Sequence, residues 1–144
     1  SIERTMVFDC NDRPGIMLSS AVRKYLNHYG VKCGNNVVIF ANNDDAYETA
    51  LSLHSKGIKI KAIIDIRDKS DGHLVKECIN QGLKIMWKHT VVYAAGHKRI
   101  NKIFFIIINR SHKIIIGHFK NTIYNLWFSS FFNDNNYIFK KTLI

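Results

Sequence analysis

Four polar residues carry the chemistry this sequence offers. Asn42 and Asn43 follow one short apolar run, and Asp65 and Arg67 close a second one about twenty residues further on. An acidic residue at that distance from a strand, a tight turn and a helix is where a dinucleotide-binding unit grips the adenosine ribose. Asp65 points to NAD rather than NADP, with Arg67 flanking it. The turn in such a unit carries the pyrophosphate on backbone N–H groups, at small residues that let it approach. Here the positions of the G-x-G-x-x-G/A pattern fall on Ala41, Asn43 and Ala46, and only the last keeps a residue the pattern prefers. A side chain at Asn43 crowds a pyrophosphate, and Asp44 and Asp45 bring negative charge to the helix start, where phosphate would sit. The expectation is a nucleotide-binding unit with a degenerate crevice. Its candidate cofactor contacts are Asn42, Asn43, Asp65 and Arg67, and tight NAD binding by this chain alone is not expected.

Other chemistries find little support. No nucleophile and base, and no pair of carboxylates, has a spacing that defines a catalytic site, so no catalytic residue is assigned. The seven histidines are scattered, without the cysteine or carboxylate cluster that zinc needs, and read as ordinary surface or half-buried side chains. Cys10, Cys33 and Cys78 are odd in number and contain no C-x-x-C pair. That pattern predicts thiols without disulfides in a reducing compartment, hence a cytoplasmic location.

The elements that must position the four residues follow from periodicity. Val37 to Phe40 is a β-branched, fully apolar run that suits a strand buried on both faces. Ala46, Tyr47, Ala50, Leu51 and His54 then recur at helical spacing, and Gly57 ends that helix. Ile58 to Ile64 forms the second strand. A polar loop, a short helix from about His73 to Gly82 and a third strand at Leu83, Ile85 and Met86 complete βαβαβ. Upstream, Asn11 to Gly15 makes a turn, and Met17, Leu18, Ala21, Val22, Tyr25, Leu26 and Tyr29 predict an amphipathic helix closed by Gly30. Beyond Trp87 the pattern changes to hairpins. Thr90–Ala94, Arg99–Ile108 and Lys113–Phe119 predict an antiparallel meander, and Ile123–Phe128 a last strand. The fold class is therefore α/β: a Rossmann-like parallel sheet with an antiparallel β-meander insert, the outline of the nested pyridine-nucleotide lobe of disulfide-reductase-like FAD/NAD(P)-binding flavoproteins. Residues 1–35 read as a connecting strand and helix, 36–128 as the lobe with its meander at about 88–120, and 129–144 as a divergent tail.

The residues of residues 2–108 are specific enough to resemble a family. Ile2-Glu3-Arg4, Val7-Phe8, Asn11-Asp12-Arg13-Pro14-Gly15-Ile16-Met17-Leu18, Ala21-Val22-Arg23, Tyr25-Leu26-Asn27 and Tyr29-Gly30-Val31 look like the α subunit of heterotetrameric sarcosine oxidase. Asn42-Asn43-Asp44, Ala46-Tyr47 and Thr49-Ala50-Leu51 continue the match, which is good to Arg67 and looser, through Gly96, Lys98, Arg99 and Ile100, to about Ile108. The same Asn-Asn-Asp turn stands in that family where related reductases keep glycines. The resemblance implies an oxidoreductase that demethylates sarcosine to glycine. It also implies NAD on α, FAD and FMN in the complex with the β subunit, and a tetrahydrofolate-binding region further along α. Almost none of that chemistry would lie in this stretch, whose part would be mainly structural. The family's returning strand runs into a Ser-Gly-Gly-Trp type turn; this chain has Ser129-Ser130-Phe131-Phe132.

Length and charge bound the alternatives. The chain of 144 residues, 47% hydrophobic, supports one domain with a real core. It opens at Ser1 on a strand-like run, and is expected to be a piece of a longer protein. The longest purely apolar run, Ile103 to Ile108, is far too short to span a bilayer, and no membrane association is expected. The net charge of +10 is concentrated in residues 88–144, where Asp134 is the one acidic residue. A basic half can mark nucleic-acid binding, yet its cations lie singly along strands, without an aromatic platform or a recognition helix. A stand-alone NAD-binding module and a basic nucleic-acid-binding protein stay open beside the flavoenzyme reading.

Overall fold

The computed structural model describes residues 6–108, 116–120 and 125–129, the last two segments as backbone only. Chain order is β1 (Ile16–Leu18), α1 (Ser19–Tyr29), β2 (Asn36–Ala41), α2 (Asp45–Ser55), β3 (Lys59–Asp65), α3 (His73–Asn80), β4 (Ile85–Trp87), β5 (His89–Ala95), β6 (Lys102–Ile107), β7 (Ile116–Lys120) and β8 (Asn125–Ser129). Five strands form a parallel sheet in the order β1-β8-β2-β3-β4, and β5-β6-β7 form an antiparallel meander. The βαβαβ unit and the meander are thus those expected from the sequence. The Ser129–Phe132 turn falls almost wholly outside the described residues, as do Ile2-Glu3-Arg4 and the tail beyond 130.

Alternation along β2 explains the layering. Val37, Ile39 and Ala41 pack into a core with Val22, Leu26, Tyr47, Ala50, Leu53 and Val75 from the three helices. Val38 and Phe40 point the other way, into a second core with Phe8, Val91, Ala94, Ile100, Ile103 and Phe105. A strand buried on both faces has no solvent side, which is why it reads as an unbroken apolar run. Phe8 meets Phe40 edge-on, with ring centroids 6.3 Å apart. The segment before β1 is held to the meander by Asp9, whose N–H donates to Val92 O and whose carbonyl accepts from Ala94 N, both at 3.1 Å.

One boundary differs from the periodicity. Met17 and Leu18 lie in β1, and α1 begins at Ser19. The parallel register Ile16↔Leu126, Met17↔Trp127 and Leu18↔Phe128 outweighs the helical spacing there. α2 begins at Asp45, with Asp45 and Glu48 in its first turn favourably placed on the helix dipole. The returning strand β8 is the larger lesson in topology. It inserts between β1 and β2, in register with both, so residues near 16 and near 125 share one sheet.

Candidate functional site

The C-terminal ends of β2 and β3 place Asn42, Asn43, Asp65 and Arg67 at one end of the parallel sheet. The register Ala41↔Asp65 sets the two strand ends side by side, and Ile66 N–H donates to Ala41 O at 3.2 Å across them. Asp65 is completely buried. Its Oδ2 accepts from the Tyr47 hydroxyl at 2.6 Å and from Arg67 Nη2 at 2.8 Å. Its Oδ1 accepts from the Arg67 backbone N–H at 2.9 Å and from Arg67 Nε at 3.1 Å. Arg67 then reaches outward, and Nη1 donates to Asp44 Oδ1 at 2.9 Å. One guanidinium is therefore clamped between two carboxylates, and lies 5.9 Å from the centre of the Tyr47 ring.

The protonation states follow from this packing. Burial, and then the Asp65 carboxylate beside it, hold the Tyr47 phenol well above the usual tyrosine range, so it stays a donor. For Arg67, burial works to lower the value, but the hydrogen bonds and charge of Asp65 and Asp44 prevail and raise it. Beneath Tyr47, Cys78 is fully buried, and its thiol points at Tyr47 O, 3.7 Å away. Burial pushes that thiol up to about 11.

A dinucleotide does not fit this arrangement. Both oxygens of Asp65 are engaged inside the protein, so a ribose hydroxyl would have to displace Arg67 or Tyr47. Asp44 holds a carboxylate at the α2 N-terminus, against the cation a phosphate would seek. Sequence reasoning placed Tyr47 on the core stripe of α2 but missed its hydroxyl as the partner of Asp65. The signal was there, because a tyrosine on a buried stripe needs somewhere to donate. Asp44 was read only as repelling phosphate, whereas it pairs with Arg67.

Away from these strand ends, the described residues include no group of three or more His, Cys, Asp or Glu able to hold a metal ion. No described helix is long and apolar enough to cross a membrane. None of the three cysteines forms a disulfide.

The fold defines the class. The chain superposes on a thioredoxin reductase from T. acidophilum with a TM-score of 0.64 at 12% identity, covering 89% of this chain and 40% of that one. It superposes on the Lactococcus lactis thioredoxin reductase with a TM-score of 0.65 at 12% identity, covering 89% and 41%. Its fold is that of one lobe of these thioredoxin reductases. Sequence narrows this further: the chain is 41% identical over 88 residues to sarcosine oxidase subunit alpha of Rhizobium meliloti (strain 1021). It is also 41% identical over 90 residues to the subunit alpha of a Corynebacterium species, covering 62% of this chain. Over these residues the chain is similar to sarcosine oxidase subunit alpha, the family its motifs resemble. The match spans 9% of the length of either relative. No family model matches the chain.

Proposed function

We propose that this chain is a piece of the α subunit of a sarcosine oxidase-like, amine-oxidising flavoenzyme, and that its part in that enzyme is mainly structural. The observation that carries this reading is the 41% identity over 90 residues to a subunit alpha. In the same chain Arg67 is paired with both Asp65 and Asp44 at the ends of the strands. The whole enzyme would oxidatively demethylate sarcosine to glycine in the cytoplasm, as a heterotetramer in which the α subunit meets a β subunit. NAD, FAD, FMN and tetrahydrofolate would be held by other regions of the complex. Asn42, Asn43, Asp65 and Arg67 line what corresponds to a nucleotide crevice, and in this reading they brace the strand ends rather than hold a cofactor. The lobe boundaries, 36–128 after a lead-in of 1–35, belong to the same proposal.

The test is the full reading frame around this chain, produced together with its neighbouring subunit genes. Sarcosine-dependent formation of glycine by the purified complex is the expected result. A complex that assembles with flavin bound but turns over no N-methyl amine would overturn the assigned reaction.

A further inference from the structure

The loop between β3 and α3 holds the one Asp-Gly pair in the chain, Asp71-Gly72. An aspartate before a glycine carries its own reaction partner, because the carboxyl carbon Cγ and the next backbone nitrogen can close a succinimide ring. A Cβ on the following residue hinders that nitrogen, and glycine has none. The covalent chain supplies the proximity. What decides the reaction in a folded protein is whether the two groups are free to meet.

Here they are. Asp71 is exposed, and residues 69–72 belong to no helix or strand. Among the described residues, neither the Asp71 carboxylate nor the Gly72 backbone N–H has a hydrogen-bond or ionic partner. The loop is held beyond the pair, where Gly72 O accepts from Lys76 N–H at 3.1 Å. The glycine is not there for its conformation, since φ −58 and ψ 152 suit any residue. Nor is it there for space: a Cβ would meet Ser70 Oγ at 3.7 Å and Asp44 Oδ2 at 3.8 Å, ordinary contacts. The fold therefore tolerates a side chain at this position, and the chemistry of the pair can be altered without breaking the loop.

We propose that Asp71-Gly72 is a site of spontaneous isoaspartate formation. The Gly72 nitrogen attacks Asp71 Cγ and gives up its proton, a C–N bond forms, a carboxyl C–O bond breaks and a water leaves. Water then adds to either carbonyl of the succinimide and opens it. Cleavage at Cγ restores aspartate; cleavage at the original main-chain carbonyl leaves the chain running through Cβ and Cγ, which is isoaspartate. Water is the only co-reactant. The product inserts a methylene into the backbone at the entry to α3. Val75 and Cys78 anchor that helix in the core, so the insertion is taken up in the loop and the first turn, beside Asp44. The site is independent of the proposed enzyme activity.

The folded chain is aged in warm neutral buffer made with heavy-oxygen water, beside the free peptide Lys-Ser-Asp-Gly-His. Peptide mapping and methyl transfer by an isoaspartyl methyltransferase read the product. The expected result is isoaspartate at Asp71 carrying heavy oxygen, formed at a rate within about tenfold of the free peptide's, a barrier difference under about 1.4 kcal/mol. Gly72→Ala should keep the urea midpoint of the parent and slow the conversion by about tenfold or more. Asp71→Asn should react faster than the parent, because ammonia leaves more readily than water. Conversion more than about tenfold slower than in the peptide would overturn the site by showing a locked loop. An unchanged rate in Gly72→Ala, or equal conversion at the other aspartates, would overturn it as well.

Discussion

Asp65 would cost several kcal/mol to bury alone, and the chain surrounds it with donors so that it does not have to be. Removing it reverses the benefit: Asp65→Ala leaves the Tyr47 hydroxyl without its acceptor and the Arg67 guanidinium with only Asp44. A loss of about 3 kcal/mol in urea unfolding is expected, the magnitude typical of breaking a buried pair from one side. Tyr47→Phe deletes one neutral donor and should cost about 1 kcal/mol. Equal losses for the two variants would mean that the carboxylate is not the centre of the cluster. Cys78 sets a pH limit on the same core. Burial, and then the charge of Glu77, push its thiol up to about 11, so the folded state holds that proton more strongly than the unfolded chain does. Stability from this group is complete below the unfolded value and is lost as pH rises towards 11. The urea midpoint should therefore fall between about pH 8.5 and 11, and Cys78→Ala, less stable at neutral pH, should show a shallower fall over that window. A parallel fall in both proteins would assign the effect elsewhere.

At the scale of elements, the hairpin between β5 and β6 depends on one residue. Gly96→Ala drives a Cβ into the Arg99 carbonyl, a backbone atom that cannot swing away as a side chain tip could. The tip must open, releasing Arg13 from Gly96 O and Ile100 N–H from Pro14 O, and about 1 to 3 kcal/mol is expected in thermal or urea unfolding. An unchanged midpoint would show that the tip adjusts freely. How much of this was legible in the sequence depends on whether a contact is local. β2, α2, β3 and α3 announce themselves, because each is a run of one period bounded by a turn or by Gly57 or Gly82, and the spacing from Asn43 to Asp65 fixes the strand ends. β1 did not, since Met17 and Leu18 fit helical spacing and become strand only through pairing with β8, far away in the chain. The Asp65 cluster was half legible for the same reason. Its acidic residue is marked by position, but the Tyr47 and Asp44 partners depend on how α2 sits over the strand end. The Gly96 contact was invisible, because no local pattern says that residues 13 and 96 touch.

For the whole molecule, the question is whether a nucleotide lobe that keeps its topology still holds a nucleotide. The parallel sheet, the crossover helices and the meander are all present, so the frame that presents strand ends to a ligand is intact. The residues at those strand ends depart from the dinucleotide pattern. Asn43 stands where the pattern places a glycine, Asp44 puts a carboxylate on Arg67, and Asp65 is turned inward onto Tyr47. Each change removes one contact a dinucleotide needs: close backbone approach, a free cation with the helix N-terminus, and an acceptor for the ribose. Calorimetry on the chain should therefore show NAD binding no tighter than millimolar, equivalent to about 4 kcal/mol, where a working crevice reaches micromolar, about 8 kcal/mol. Asn43→Gly combined with Asp44→Ser removes the obstruction and the competing charge, and with it the Arg67–Asp44 pair, while leaving Asp65 bonded to Tyr47 and Arg67. That variant should bind NAD more tightly than the parent by about tenfold, or about 1.4 kcal/mol, but still short of micromolar, because Asp65 remains committed to Arg67. Micromolar binding by the unmodified chain would mean that Arg67 gives way to the ribose, and would make this a working cofactor lobe rather than a structural one.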